Sequence, residues 1–368
     1  MTGDQGAIAL AERVLSILDE GSFSATYKFA LFTAILDLCI ENTSRHGVPP
    51  DTLTTRQLAE KVVELYWNHA TPYRNHGTLR QGGVRAASQA EILRRIEHDR
   101  ARWADGQSDT PHRTRQTHPE GFARLVDFVE WKLIEMPIPR LQVLGRQEDR
   151  FLYDYNWTQS IRQSTVSAYQ RRAQSDFDNR LLLRPSVAQQ LVLINGLLRP
   201  LFHREWAVMV AGMNELPEAE LEAFLFGSER TPLDAVRGPL RDLQDNRCFY
   251  CDGRIVGRAD VDHFIPWSRY PDDGLDNLVA AHPGCNNSKR DFLAAAEHVK
   301  HWTARKKEFD TKFMAMATEL YWPRDTERTK SVAAAIYARL PGSARLWIAP
   351  SVYGPHEPRR ITDILRGW

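Results

Sequence analysis

Apolar positions recur at helical spacing through much of the chain. Ile8, Ala11, Leu15 and Leu18 share one face, and Phe29–Ile40 is nearly continuous in Leu, Ile, Phe and Ala. This predicts helices over 7–20 and 26–42, with Ser24 placed to cap the second. Gly47-Val48-Pro49-Pro50 breaks the pattern, and Leu58, Val62, Leu65 and Tyr66 restart it over 55–67. Further helices are predicted over 88–103, 120–135 and 158–173. A long one from Pro185 to about Met213 carries Val187, Leu191, Ile194, Leu198 and Leu201 inward. Pro200 should kink or split it, because proline removes a backbone donor and crowds the preceding turn. An acidic helix over 217–226 follows, then helices over 294–320 and 326–339. Arg345–Ile348 reads as a last strand and Pro350–Pro358 as loop.

Three stretches depart from this period. Residues 140–157 set β-branched and aromatic residues around a polar turn at Gly145–Asp149, which predicts a hairpin or short strand pair. Gly106–Pro119 is polar and proline-broken, the pattern of an exposed linker. Asn68–Ala90 holds no acidic residue but carries Tyr73, Arg74, His76, Arg80 and Arg85 around Gly77, Gly82 and Gly83. Such a loop suits either a phosphate backbone or plain solvent, and the sequence leaves both readings open.

Charge narrows the partners. The chain has 368 residues and a net charge of +1, so any nucleic-acid surface must be a local patch. No apolar run is long enough for a membrane span, and the N-terminus lacks a secretory layout. Of four cysteines, Cys39 lies in an apolar helical run as a core thiol and the other three belong to a motif. That usage predicts a reducing cytoplasm, and the lack of a long apolar run predicts no membrane partner.

The motif is Arg247–Leu293. Cys248 and Cys251 form C-x-x-C, and His282 and Cys285 answer as H-x-x-C. Two such pairs a few tens of residues apart match a four-coordinate structural zinc site. Between and after them stand Asp262-His263, Pro266, Ser268, Asn277-Leu278 and Asn286-Asn287-Ser288-Lys289. Carboxylate and amide oxygens beside a histidine suit a hydrated magnesium-type ion and a water-activating base. On a strand, Asp262 and His263 point to opposite faces, so a strand end or bulge must turn them if they serve one centre.

The order C-x-x-C, D-H-x-x-P-x-S, N-L, C-x-x-C-N-x-x-K resembles that of the HNH endonuclease family over about an eighth of the chain. His282 replaces the first cysteine of the second knuckle, a change zinc accepts. The resemblance implies a ββα-metal fold, with Asp262 and His263 on a hairpin, Asn277 in a loop and Asn286 on a helix. It implies His263 as general base, Asp262 and Asn286 as ligands of Mg2+ or another divalent metal, and Asn277 as a loop brace. Asn287 stands beside Asn286, and Cys285 sets the register in favour of Asn286. Lys289, one turn on, and Arg290 become candidate phosphate contacts, joined by Arg74 and Arg80 of the N-terminal loop.

The expected fold is mainly α with a small α+β insert. A helical N-terminal domain (1–135), a candidate for DNA or partner recognition, leads to a mixed hairpin and helical region (136–235). The zinc-stapled HNH module (236–297) and a basic helical tail (298–368) follow. The resemblance implies hydrolysis of DNA, double-stranded by expectation, with a protein partner or homodimer left open. By analogy of layout it points to restriction or phage defence. The rival is a non-catalytic zinc-dependent DNA-binding or complex-assembly subunit.

Overall fold

The computed structural model describes residues 3–20, 25–82, 89–104, 110–145, 147–227 and 233–368. The chain folds into two compact units, one of residues 1–39 and 50–227, the other of 40–49 and 228–368. The break at 227 falls inside the stretch 136–235. Ser24, Gly83, Arg85 and Gly106 lie outside the described residues, as do the side chains of Lys306 and Lys307.

The first unit is helical. Its elements are α1 (Gly3–Glu20), α2 (Tyr27–Glu41), α3 (Thr55–Trp67), α4 (Glu91–Trp103), α5 (Pro111–Thr117), α6 (Pro119–Glu135), α7 (Pro137–Leu141), α8 (Gln163–Gln170), α9 (Val187–Asn214) and α10 (Leu221–Phe226). Thr54 starts α3 with a reciprocal capping box to Gln57, worth about 1 kcal/mol. The core forms where α2 meets α9: Phe32 stacks on Phe202 at 3.9 Å and Phe29 on Trp206 at 6.1 Å. Arg199 of α9 donates to Asp37 of α2 at 2.6 Å, both nearly sealed from water.

Two expectations are corrected here and a third is met in part. α9 runs unbroken through Pro200, so the proline splits nothing; packing along its buried face outweighs one lost hydrogen bond. Residues 111–117, expected as linker, are helix, because Thr110 caps a start at Pro111. The 140–157 stretch gives the small hairpin β2 (Val143–Leu144) with β3 (Gln147–Glu148), but β4 (Tyr153–Tyr155) pairs elsewhere. It joins β5 (Arg180–Leu183), which pairs in turn with β1 (Thr52–Thr54) in an antiparallel sheet ordered β1-β5-β4.

The second unit begins with α11 (Asp234–Leu243) and contains β6 (Asp260–His263), a 3-10 turn at Leu275–Asn277, β7 (Leu278–Ala281), α12 (Pro283–Lys289), α13 (Ala296–Glu319), α14 (Thr326–Tyr337), β8 (Arg345–Ala349), β9 (Val352–Pro355) and α15 (Pro358–Arg366). The segment 350–358, expected as loop, supplies β9, so β8 is one arm of a hairpin. Trp302 of α13 fills the core, stacked on Phe264 at 4.3 Å and donating to the Asp276 carbonyl at 2.8 Å. The loop between β6 and β7 is thereby pinned to α13.

Candidate metal centre and HNH site

The four expected zinc ligands come from two places: the turn after α11 and the start of α12. Cys248 donates its N–H to the Gly253 carbonyl at 2.9 Å, and Asp252, at φ 55°, returns a 2.9 Å bond to the Cys248 carbonyl. Gly253 has a packing reason to be glycine. A Cβ there would come within 3.3 Å of His282 Cε1 and 3.4 Å of Cys251 Sγ. The ligand atoms of Cys248, Cys251, His282 and Cys285 all lie within 4.8 Å of one another.

His282 Nδ1 faces Cys251 Sγ at 3.3 Å, while its Nε2 lies 3.1 Å from the Arg254 carbonyl. A donated Nε2–H leaves Nδ1 as the ligand nitrogen, the usual outer partner of a metal-bound histidine. Burial, and then the neighbouring thiolates, push the Cys285 thiol up to about 12. A divalent cation offsets that repulsion. The donor set therefore fits a structural metal such as zinc.

β6 and β7 pair antiparallel, Asp262 opposite Val279 and His263 opposite Leu278. Asp260 and Asp262 share the strand face that meets α12. There Asp262 Oδ2 accepts the Tyr250 hydroxyl at 2.5 Å and lies 3.0 Å from Lys289 Nζ. Burial, and then the charge of Asp262, keeps the Tyr250 phenol protonated, so it is the donor. Asn286 Nδ2 donates to Asp260 Oδ2 at 3.2 Å. His263, last in β6, turns to the other side, where Nε2 lies 2.8 Å from Asp273 Oδ1 and the ring sits 5.2 Å from Trp267.

Asn277 is fully occupied as a brace. Its Oδ1 accepts from Ile265 N at 2.8 Å, and its Nδ2 donates to the carbonyls of Ile265 and Asp272. Lys289 needs correction as a phosphate contact. Its side chain is wholly buried, with Nζ on Asp262 and on the His263 carbonyl at 2.9 Å. Spacing places Lys289 on the helix face of Asn286, but that face turns inward to the hairpin. Arg290, just past the helix, stays exposed.

Residues 248–295 match the model of the HNH endonuclease family. Residues 6–224, more than half of the chain, match a model described as Domain of unknown function (DUF8808). The chain belongs to the DUF8808 family. Neither the curated proteins nor the solved structures hold a match.

The two arginines expected to touch nucleic acid from the DUF8808 region are engaged within it. Arg74 pairs with Glu220 at 2.5 Å and lies over the Tyr73 ring. Arg80 donates to the Met213 carbonyl near the end of α9. Their loop is thus a buttressed turn, closed by a bridge between Pro72 and Thr78. No helix among the described residues is long and apolar enough to cross a membrane.

Three HNH-site residues escaped the sequence reading. Asp260 was signalled by the D-x-D alternation, which puts both carboxylates on one strand face. Tyr250, inside the first knuckle, and Asp273, in the β6–β7 loop, carried no such signal, because only the fold brings them to Asp262 and His263.

Proposed function

We propose that the HNH module hydrolyses DNA phosphodiester bonds with the help of a divalent cation, and that His263 is its general base. What supports this is one juxtaposition within the HNH match. Asp262 and Asp260 share the face on which Asn286 stands, and His263, which ends β6 directly after Asp262, holds its buried imidazole on the opposite side of the strand. Oxygen donors from two carboxylates and an amide suit a hard cation.

Asp262 and Asn286 would hold the ion, with Asp260 orienting the Asn286 amide. A cation there supplies charge to stabilise the pentacoordinate phosphorane and the departing 3′ oxygen. His263 takes the proton of the attacking water, a role that suits imidazole at neutral pH. Asn277 holds the loop that carries the site's far wall. Arg290 meets the phosphate backbone, and the DUF8808 region supplies recognition of the target.

The test is cleavage of supercoiled plasmid with magnesium or manganese, on modified and unmodified DNA, comparing the protein with His263→Ala. Nicked or linear product from the wild-type protein alone supports the reading. Equal cleavage by His263→Ala removes His263 as base.

One observation favours a second reading, a zinc-dependent binding or assembly subunit. The Lys289 ammonium already pairs with Asp262, as a built-in cation would. Binding of DNA with no cleavage under any metal supports that alternative.

A further inference from the structure

We infer that Asp273 is a positioning residue for His263: it accepts the Nε2 proton, fixes the imidazole tautomer and leaves Nδ1 as the basic nitrogen. The inference rests on the general-base reading of His263. Two adjacent carboxylates in the β6–β7 loop divide their work. Asp272 is structural, with Oδ1 accepting from Gly274 N at 2.9 Å and pairing with Arg328 at 3.3 Å. The carboxylate of Asp273 has His263 as its one side-chain partner among the described residues, at 2.8 Å.

Both groups are mostly withdrawn from water, their side chains 10% and 15% exposed. An ionised carboxylate can only accept, so Nε2 must carry the proton. In the neutral imidazole the lone pair then resides on Nδ1. That atom has no partner among the described residues and is not among the side-chain atoms sealed from solvent without one. Water can reach the one nitrogen able to take its proton.

When Nδ1 accepts a proton from water, the ring becomes an imidazolium with both nitrogens protonated. The hydroxide attacks phosphorus as the bond to the 3′ oxygen breaks. That oxygen leaves with the electron pair and takes a proton from solvent, and Asp273 stabilises the charge formed on the ring. The position of Asp273 is itself secured through its backbone, whose carbonyl accepts Trp322 Nε1 at 2.7 Å. Replacing the side chain therefore leaves the loop's attachment in place.

The experiment combines tautomer spectroscopy with kinetics on the full chain. Long-range 15N–1H correlation spectra of 15N-histidine-labelled protein, recorded above the ordinary histidine titration range, report which ring nitrogen is protonated, and His263→Gln assigns the signal. We expect the Nε2–H form in the wild-type protein and a mixture in Asp273→Ala. The kcat for cleavage should fall about 10–100-fold in Asp273→Ala with KM for DNA unchanged. Asp273→Asn should fall less, since its amide oxygen still accepts. A wild-type Nδ1–H tautomer, or an Asp273→Ala protein with unchanged tautomer and kcat, would overturn the inference. If no DNA is cleaved at all, the nuclease reading fails, and the spectra alone still decide what Asp273 does.

Discussion

Lys289 Nζ lies 3.0 Å from Asp262 Oδ2, and both side chains are shut away between α12 and the β6–β7 hairpin. The pair joins a helix to a strand, yet it also binds the carboxylate expected to hold a cation. Removing one partner of a buried pair leaves the other uncompensated. Lys289→Met should therefore destabilise the C-terminal unit by about 3–5 kcal/mol, measured by denaturant unfolding. Its effect on the salt dependence of DNA binding should be nil. Arg290→Ala should instead lower that salt slope by about one. A Lys289 effect confined to DNA affinity would refute the buried pairing.

Metal removal should act locally. Cys285→Ser, or a strong chelator, should release one zinc per chain as measured by elemental analysis, and should loosen the hairpin–helix module. Most of the helical circular-dichroism signal should persist, because the helices of the DUF8808 unit hold no ligand of the cluster. Undiminished zinc content in Cys285→Ser would disprove the assigned ligand set.

Acid should weaken the C-terminal unit through two histidines of α13. His301 stacks on Phe249 at 4.6 Å, and His298 lies against Tyr250 and Trp347. Burial, chiefly, lowers the pKa of both below 6.5. Around His298 stand His301, Glu297 and Lys289; around His301 stand Arg305, Asp252 and Glu308. As pH falls through 6.5 the unfolded chain takes up protons that the folded chain refuses, so stability drops. Thermal unfolding from pH 7.5 to 5.5 should show this decline, flattened in a His298→Gln, His301→Gln double variant.

Pro200 offers a stabilising change. It sits inside α9, where it leaves the Gly196 carbonyl without its helical partner. Pro200→Ala should raise the stability of the first unit by about 1–3 kcal/mol in thermal melts. A loss of stability would mean that the proline ring packs to advantage.

The sequence by itself determined the elements set by local period and the residues set by local spacing. The helix over 55–67 was legible to the residue from one apolar stripe, and C-x-x-C with H-x-x-C named the four residues whose donor atoms gather where a structural metal would fit. Each is a relationship within a few residues, which backbone geometry alone fixes. Pro200 does not split α9 and Pro111 begins a helix where a linker was expected, since local breaking signals are outweighed by burial along α9 and by the cap at Thr110. What only the tertiary structure decided are pairings across the chain. Lys289 reads as an exposed cation from its spacing, but the register of α12 on the hairpin turns it onto Asp262. Asp273 and Tyr250 reach His263 and Asp262 because the β6–β7 loop and the knuckle fold back on the strand. Such meetings depend on packing angles and strand register, which no short window of sequence carries.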